Sequence, residues 1–208
     1  PGSASRKYAL YEGAKPRATI HFEWAEGSIV CTLKQGDQNQ NVGTNLHDLQ
    51  ASAESVKAIF LATEVLEEHE EISAIGIRIV APGHYFQEDH VVNDEFMKQL
   101  NKAVSAELLH ISATLQEVAT LRKSFPDTLI FGISDSRFHA TKPKKAQYYG
   151  LPIDDAKKND IQRFGYHGIS LASVIRTVRE SGTSEPRVIV CHLGSGASVT
   201  AIRGENAL

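Results

Sequence analysis

The chain has 208 residues, of which 41 % are hydrophobic and 23 % charged, and its formal net charge is −3. This composition is typical of a globular domain with a sizeable core, and the charge gives no reason to expect a nucleic-acid or acidic-membrane partner. No apolar run reaches the length of a membrane span. The two cysteines, Cys31 and Cys191, lie in apolar strand patterns without metal-ligand spacing, which favours a reduced, cytoplasmic setting.

The first part of the chain predicts an antiparallel meander. Alternating apolar residues predict three strands, at residues 7–11, 18–24 and 28–33. Turns are predicted between them, because Glu12-Gly13 and Glu26-Gly27 interrupt the pattern. The polar stretch that follows, residues 35–45, predicts a loop.

From residue 48 onward the pattern alternates between helical spacing and short apolar runs. Helices are predicted at residues 48–69, 93–104, 106–123 and 166–180. Strands are predicted at residues 72–80, 126–133, 188–191 and 197–202. The first two of these strands are expected to be parallel. The polar stretch 150–162 predicts a loop. A meander followed by alternating strands and helices predicts an α/β fold with a mixed sheet.

The glycine-rich stretch 187–203 is the most informative motif, because residues 194–196 form a tight turn between two predicted strands. Glycine lets the backbone approach a neighbour or a ligand closely, and successive amides of such a turn can face an anion. His192, at the end of the first strand, and the Ser198 hydroxyl would meet the same anion. A purely structural hairpin can have the same sequence pattern, so both interpretations stay open.

Two charged residues stand in or just after apolar strand patterns. Arg78 interrupts the run 75–80, where an unpaired charge is costly. It predicts either a structural ion pair or a guanidinium that binds a carboxylate or phosphate with two parallel hydrogen bonds. Asp135 follows the predicted strand 126–133, where functional residues of α/β folds concentrate. Equally, Ser134 or Asp135 could cap the turn that follows.

Histidines form a further group of candidates. His167 lies between two glycines in the stretch 163–168, which predicts an irregular turn at a helix start. It could donate a hydrogen bond to a transferring group or be a satisfied core histidine. His110 lies on a predicted helix face, where a lone histidine is usually structural. His139, beside Phe138, is interpreted as a surface histidine.

Six stretches, taken in order, resemble the motifs of the acetate kinase family, acyl-phosphate-forming kinases of the actin-like ATPase superfamily. The family's N-x-G-S-S-S-x-K-[FY], H-R-x-V-H-G-G and A-P-L-H-N-P-A are matched by residues 2–8, 77–83 and 106–113. Its F-D-T-A-F-H, R-[RY]-G-F-H-G-x-S and H-L-G-x-G-A-S are matched by residues 134–139, 163–170 and 192–198.

The resemblance implies a fold and a division into domains. The fold would be the ribonuclease H-like half of an actin-like ATPase, with a mixed five-stranded sheet and flanking helices. Residues 1–186 would form the N-terminal substrate-binding domain, and residues 187–208 the first strands of a truncated C-terminal nucleotide-binding domain. The chain would then be the N-terminal portion of a longer enzyme.

The resemblance also implies roles for residues at the matched positions. Residues that act on the transferring group or orient it would be Arg78, Asp135 and His167. Residues that bind the substrate would be Arg78, Val80, Leu109, His110 and Tyr166. Residues that contact phosphate would be Ser5, Lys7, His192, Gly194, Ser195 and Gly196.

The implied activity is Mg²⁺-dependent transfer of the ATP γ-phosphoryl group to acetate, in an enzyme that is a homodimer when complete. A propionate or butyrate kinase on the same scaffold remains open. So does an inactive binding remnant, because the chain departs from the family pattern. Ala4, Ala81, Pro82 and Ser195 replace a serine, a histidine, a glycine and an asparagine of the motifs. No metal ligand is expected within these 208 residues.

Overall fold

The computed structural model describes residues 5–104, 109–182, 187–194 and 196–208, with the side chains of Leu109 and His110 outside the description. The chain forms two compact units. The first comprises residues 1–75 and 107–130, and the second comprises residues 76–106 and 131–208.

Strands and helices alternate after an initial run of strands. The strands are β1 Ser5–Glu12, β2 Lys15–Ala25, β3 Ser28–Gln35, β4 Gln38–Val42, β5 Ala74–Ile79, β6 His90–Val91, β7 Leu129–Ser134, β8 Arg187–Leu193, β9 Ala197–Arg203 and β10 Asn206–Ala207. The helices are α1 Ser52–Ala62, α2 Asp94–Val104, α3 Leu109–Ser124, α4 Lys144–Gln147, α5 Ile153–Lys158 and α6 Gly168–Glu180. Short 3₁₀ turns are formed by Leu49–Ala51, His84–Gln87 and Arg137–Thr141.

The first unit contains an antiparallel sheet in the order β1-β2-β3-β4. The three predicted strands are confirmed, and Gly13 and Gly27 turn the chain between them with positive φ angles. The loop predicted at residues 35–45 is wrong in part, because β4 pairs with β3 there. This strand lies at the sheet edge and is largely exposed, so it carries no apolar alternation that the sequence could reveal.

Alternation in β2 and β3 buries one face of this sheet. Ile20, Phe22 and Leu33 are at most 1 % exposed and belong to the same core cluster as Phe60 of α1. Helix α1 ends at Ala62, seven residues earlier than predicted. It ends there because Glu64 adopts a left-handed conformation, with φ 56°.

A polar network is buried in the first unit. The Arg6 guanidinium donates from Nε to Glu117 Oε2 at 3.3 Å, and the two side chains are 5 % and 4 % exposed. The Tyr8 hydroxyl donates to Glu117 Oε1 at 2.5 Å and lies 2.9 Å from Ser52 Oγ. Burial and the Glu117 carboxylate raise the pKa of Tyr8 above its ordinary value. This network joins β1 to α3 and α1.

Most residues of a sheet with the order β5-β7-β6 belong to the second unit. A side chain at Gly76 would face Ile133, and the Asp135 amide donates to the Ile79 carbonyl at 2.9 Å. The residue numbers therefore rise together along β5 and β7, as in the predicted parallel pair. Helix α2 begins where predicted, with its Phe96 amide donating to the Asn93 side chain at 2.9 Å.

A second sheet of this unit has the order β10-β9-β8. Val190 and Ile202 pack with Leu171 and Ile175 of α6 in one core cluster. The single five-stranded sheet is not confirmed, because the described residues form a four-stranded sheet and two three-stranded sheets. The boundary after residue 186 stays a prediction about the longer family members. The loop predicted at residues 150–162 is wrong in part, because this stretch contains α5. No helix among the described residues is long and apolar enough to cross a bilayer.

Candidate active site

Asp135 forms the centre of a polar cluster in the second unit. It directly follows β7 and is 1 % exposed. Its Oδ2 atom accepts hydrogen bonds from Arg78 Nη2 and from the His167 amide, both at 2.8 Å. The structure therefore brings together Arg78, Asp135 and His167, three residues that are far apart in sequence.

The beginning of α6 is built around Asp135. The Gly168 amide donates to the Asp135 carbonyl at 2.8 Å, and the Ile169 amide lies 3.4 Å from Oδ1. First-turn amides of a helix lack partners within the helix and carry partial positive charge. Asp135 supplies these partners, although it precedes the helix by more than thirty residues in the sequence. The turn that follows Asp135 is instead held by the Ser134 hydroxyl, which accepts from the Ser136 amide at 3.0 Å. Of the two residues that could cap this turn, it is therefore Ser134 that makes the contact, and Asp135 holds the start of α6.

The contacts of Asp135 set its charge. Burial opposes ionisation, but Arg78 and the amides of His167 and Ile169 outweigh it, so the pKa of Asp135 lies below its ordinary value. Asp135 is therefore a carboxylate at neutral pH. Its role in this geometry is to accept hydrogen bonds and to hold the groups that donate them.

Arg78 contacts Asp135 with one edge of its guanidinium group, and much of the side chain faces solvent. Its side chain is 51 % exposed, whereas the side chain of Asp135 is 2 % exposed. A guanidinium has five N–H donors in a planar fork, and the Asp135 contact uses the Nη2 edge. The solvent-facing donors of Arg78 can therefore bind a second anion.

Three consecutive residues before α6 have left-handed backbone conformations. The φ angles are 87° at Gly165, 54° at Tyr166 and 55° at His167. Such angles in tyrosine and histidine are strained and cluster at functional sites. This run lets the His167 amide face Asp135.

His139 supports this turn and corrects the sequence interpretation. It is 3 % exposed, not a surface residue. Its Nε2 atom hydrogen-bonds the Tyr166 carbonyl at 2.8 Å, and a Cβ atom at Gly165 would lie 2.4 Å from its ring. Burial lowers the pKa of His139. The only sequence signal for this role was its place at the end of the motif 134–139.

His167 and His192 stack on each other. Their ring centroids are 4.1 Å apart and their planes differ by 14°. His167 Nδ1 lies 3.0 Å from the Ser198 hydroxyl, and His192 Nδ1 lies 3.1 Å from the Ser170 hydroxyl. Burial and then the neighbouring His192 lower the pKa of His167 more than Asp135 raises it. Both serines belong to matched motifs, but sequence alone did not reveal which partner each would hold.

The turn between β8 and β9 approaches the same histidine. A Cβ atom at Gly196 would lie 3.5 Å from His167 Nε2, an ordinary van der Waals distance, so this turn passes beside that nitrogen. The Gly194 amide donates within the turn, to the Gly196 carbonyl at 3.1 Å. The expected run of amides facing an anion therefore does not include Gly194.

The remaining predicted site residues lie in different parts of the chain, and some of them are outside the described residues. Val80 follows β5 and is half-buried, as is Tyr166 beside His167. Ser5 and Lys7 lie in β1 of the first unit. The side chains of Leu109 and His110, the whole of Ser195 and residues 2–4 lie outside the described residues.

The model of the acetokinase family matches residues 1–208. Acetate kinases of two Clostridium botulinum strains, Alaska E43 and Langeland, are 30 % identical over 216 residues and 31 % identical over 211 residues. They match 100 % and 97 % of this chain but 54 % and 53 % of their own length. The chain thus spans about half the length of these curated relatives.

Solved structures give the same answer for the fold. The acetate kinase of Porphyromonas gingivalis superposes with a TM-score of 0.81 at 26 % identity, over 100 % of this chain and 54 % of that one. A propionate kinase of Francisella tularensis superposes with a TM-score of 0.84 at 24 % identity, with the same coverage, and supports the fold alone. These neighbours define the class as an α/β protein of the actin-like fold. Within that class, the chain belongs to the acetokinase family.

Proposed function

We propose that this chain forms the carboxylate-binding and phosphoryl-contacting part of an acetate kinase, which transfers the γ-phosphoryl group of ATP to acetate and yields acetyl phosphate and ADP. The observation that carries the proposal is the cluster in which Asp135 holds both Arg78 and His167. Membership of the acetokinase family supports it. Because the chain spans about half of its relatives, we propose that transfer needs the other half as well.

The chemistry asks the protein mainly for positioning and charge stabilisation. A carboxylate oxygen of acetate attacks the γ-phosphorus, and the bond from that phosphorus to the bridging oxygen of ADP breaks. Arg78 would bind the negative charge of the acetate or of the transferring group with its solvent-facing N–H groups. Asp135 would act through Arg78 and His167, by holding the guanidinium and the turn in place.

His167 would donate a hydrogen bond to an oxygen of the transferring group. In the tautomer that carries its proton on Nε2, Nδ1 accepts from the Ser198 hydroxyl. The Nε2–H group then lies beside the turn at Gly196, where it would meet the transferring group. The lowered pKa of His167 keeps the ring neutral at neutral pH, so it would act as a fixed dipole and not as an acid. His192 would support the ring from behind.

Mg²⁺ and ATP are implied by the family, and Mg²⁺ bound to the phosphates would supply neutralisation of their charge. Among the residues described here, no three or more His, Cys, Asp or Glu side chains are grouped so as to hold an ion. The Asp135 carboxylate is engaged by Arg78 and by backbone amides. No step of the mechanism is therefore derived through the metal from this chain.

The identity of the acid would rest on a small apolar pocket to which Val80 and Tyr166, at the matched family positions, would contribute. One methylene group changes discrimination by only about 10–200-fold. We propose acetate as the preferred acid. Because discrimination by one methylene group is weak, propionate would be a poorer substrate but still a substrate. The division into domains at residue 186 and a homodimeric complete enzyme belong to the same proposal.

The test is a coupled ADP-release assay with acetate, propionate and butyrate, in the presence of Mg²⁺ and ATP. It is run on the 208-residue chain and on these residues together with whatever sequence adjoins them in the natural gene, here called the complete enzyme. We expect acetate-dependent release from the complete enzyme and none from the 208-residue chain. Folding of each sample is checked by circular dichroism.

Two controls give the assay its meaning. A hydroxamate assay identifies acetyl phosphate as the product, which separates transfer from ATP hydrolysis. Arg176→Ala serves as the matched arginine control for Arg78→Ala, because Arg176 is exposed on α6. A folded complete enzyme that releases no ADP with any of the three acids would leave the inactive binding remnant as the explanation.

A further inference from the structure

Asp89 binds both ends of the segment that contains Asp135. It lies just before β6 in the second unit, and its side chain is 25 % exposed. Its Oδ1 atom accepts a hydrogen bond from the Ser134 amide at 2.8 Å. Its Oδ2 atom pairs with Arg137 Nη1. One carboxylate therefore holds the residues one before and two after Asp135.

The Ser134 hydroxyl completes this bracket. It is buried, donates to the Phe86 carbonyl and accepts from the Ser136 amide at 3.0 Å. Asp89 and Ser134 thus fix the backbone on both sides of Asp135 without touching its carboxylate. Arg78 and the start of α6 contact the carboxylate itself.

The sequence indicates that the bracket is a feature of this chain. In the motif F-D-T-A-F-H, the aspartate is preceded by phenylalanine and followed, two residues on, by alanine. Ser134 and Arg137 occupy these positions here. Neither phenylalanine nor alanine has a side-chain donor, so the Ser134 contact to the Phe86 carbonyl and the Arg137 contact to Asp89 depend on these two departures, whereas the contact between the Ser134 amide and Asp89 does not.

We propose that Asp89 is a positioning residue for the phosphoryl transfer: it fixes the segment from Ser134 to Arg137 so that Asp135 presents its carboxylate to Arg78 and to the His167 amide. This inference rests on the proposed function. A displacement of reacting groups by about 1 Å can cost about a hundredfold in rate, so a residue that never touches the substrate has a measurable effect through Asp135.

The first experiment measures Asp135 itself in the 208-residue chain, by the carboxyl ¹³C resonances of labelled aspartate and the His167 amide proton. Asp89→Asn removes the charge but keeps an oxygen that accepts from the Ser134 amide. Asp89→Ala removes both. The difference between the two variants therefore reports the position of Asp135, and the Asn variant reports the charge.

We expect the pKa of Asp135 to rise towards its ordinary value in Asp89→Ala and to stay low in Asp89→Asn, with the His167 amide resonance shifted only in the Ala variant. Glu88→Ala, which removes an exposed carboxylate next in sequence, leaves both signals unchanged. If Asp89→Ala does not fold, Arg137→Ala cuts one of the two contacts and is expected to shift the same signals by less. A folded Asp89→Ala variant with unchanged Asp135 and His167 signals overturns the proposal.

The second experiment uses the complete enzyme and separates positioning from stability. Asp89→Ala is expected to lower kcat by roughly 10–100-fold with KM for ATP unchanged, and to move the acid limb of the kcat profile to higher pH. Asp89→Asn restores most of the rate. A purely structural role would lower the melting temperature and leave the pH profile in place, which refutes the proposal. If the unaltered enzyme has no kinase activity, the proposed function fails, while the resonance experiment still decides whether Asp89 positions Asp135.

Discussion

Two arginine–carboxylate pairs, one in each unit, differ in how far solvent reaches them. In the first unit both partners are buried, with Arg6 and Glu117 at 5 % and 4 % exposure. In the second unit Asp135 is 2 % exposed while Arg78 is 51 % exposed. A buried pair spends its hydrogen-bonding groups on its own surroundings. A pair with one exposed partner keeps donors for a ligand, so between Arg6 and Arg78 exposure separates the structural arginine from the functional candidate.

The largest expected effect is the loss of the buried pair. Glu117→Ala removes the carboxylate that both Arg6 and Tyr8 contact, and breaking such a pair costs about 3–5 kcal/mol. Denaturant unfolding of the 208-residue chain measures the loss. Glu54→Ala is the control, because Glu54 is 52 % exposed and pairs with Lys123 at 3.6 Å; it is expected to cost about 0–1 kcal/mol.

If Glu117→Ala does not fold, Tyr8→Phe removes only the hydroxyl from the network and is expected to cost about 1–3 kcal/mol. Equal unfolding free energies for the Glu117 and Glu54 variants would erase the contrast between buried and exposed pairs.

Loss of the half-exposed pair is expected to change activity more than stability. In the complete enzyme, Arg78→Ala should lower kcat by roughly two to three orders of magnitude, the scale for one preorganised charge stabiliser. Its unfolding midpoint should move less than that of Glu117→Ala, because the exposed half of Arg78 is already solvated. Steady-state kinetics and denaturant unfolding give both numbers. Near-normal turnover of a folded variant would make Arg78 as structural as Arg6.

A third test addresses the turn that brings His167 to Asp135. Gly165→Ala places a Cβ atom against the buried His139 ring and forces alanine to a φ angle of 87°. Gly182 also has a positive φ angle, 76°, but no atom of the described residues lies within 4 Å of a Cβ atom there. Gly182→Ala therefore measures backbone strain alone, at about 1 kcal/mol. Gly165→Ala should exceed it by about 1–3 kcal/mol in thermal or denaturant unfolding. Equal losses of unfolding free energy in the two variants would mean that the His139 ring moves aside and accommodates the Cβ atom.

The smallest expected effect is a dependence of stability on pH. Burial lowers the pKa of His139 in the folded protein, whereas an unfolded histidine titrates near about pH 6.5. Its contribution is therefore complete above that pH and is lost as the pH falls through the folded-state pKa. The lowered pKa of Asp135 acts in the same direction, but only below about pH 4.

Unfolding free energies at about pH 7 and about pH 5 measure this dependence. His139→Gln should flatten it, because glutamine does not titrate. His69→Gln, at a side chain that is 78 % exposed, should leave it as it is. An unchanged slope in the His139 variant would show that burial of this ring does not control the acid sensitivity.

The sequence predicted the elements that carry apolar periodicity and the residues that carry motif chemistry. The paired strands β1 to β3 and the helix after Asn93 follow from alternation and capping. The edge strand β4 and the short helix α5 did not, because both are largely polar and exposed, so no periodic burial marks them. Secondary structure that depends on backbone pairing alone leaves little trace in side-chain pattern.

The same limit applies to the site. Arg78, Asp135 and His167 could be named because their motifs occur in order, and the structure brings them together. The buried support of His139 and the bracket made by Asp89 could not be named. Their effect comes from contacts between segments that are 27 to 48 residues apart, and no local spacing encodes such a contact. What each residue does in catalysis stays a proposal.

The left-handed run from Gly165 to His167 has a consequence for the order of events in folding. Tyr166 and His167 each carry about 1–3 kcal/mol of conformational cost that local interactions do not return, so an unfolded chain seldom visits this turn. The compensating contacts come from Asp135 and His139, which must already be in place beside β7. We therefore expect the sheet to assemble first and the turn to close on it afterwards. In pulse-labelled hydrogen exchange, the His167 amide acquires its protection after the amides of β7.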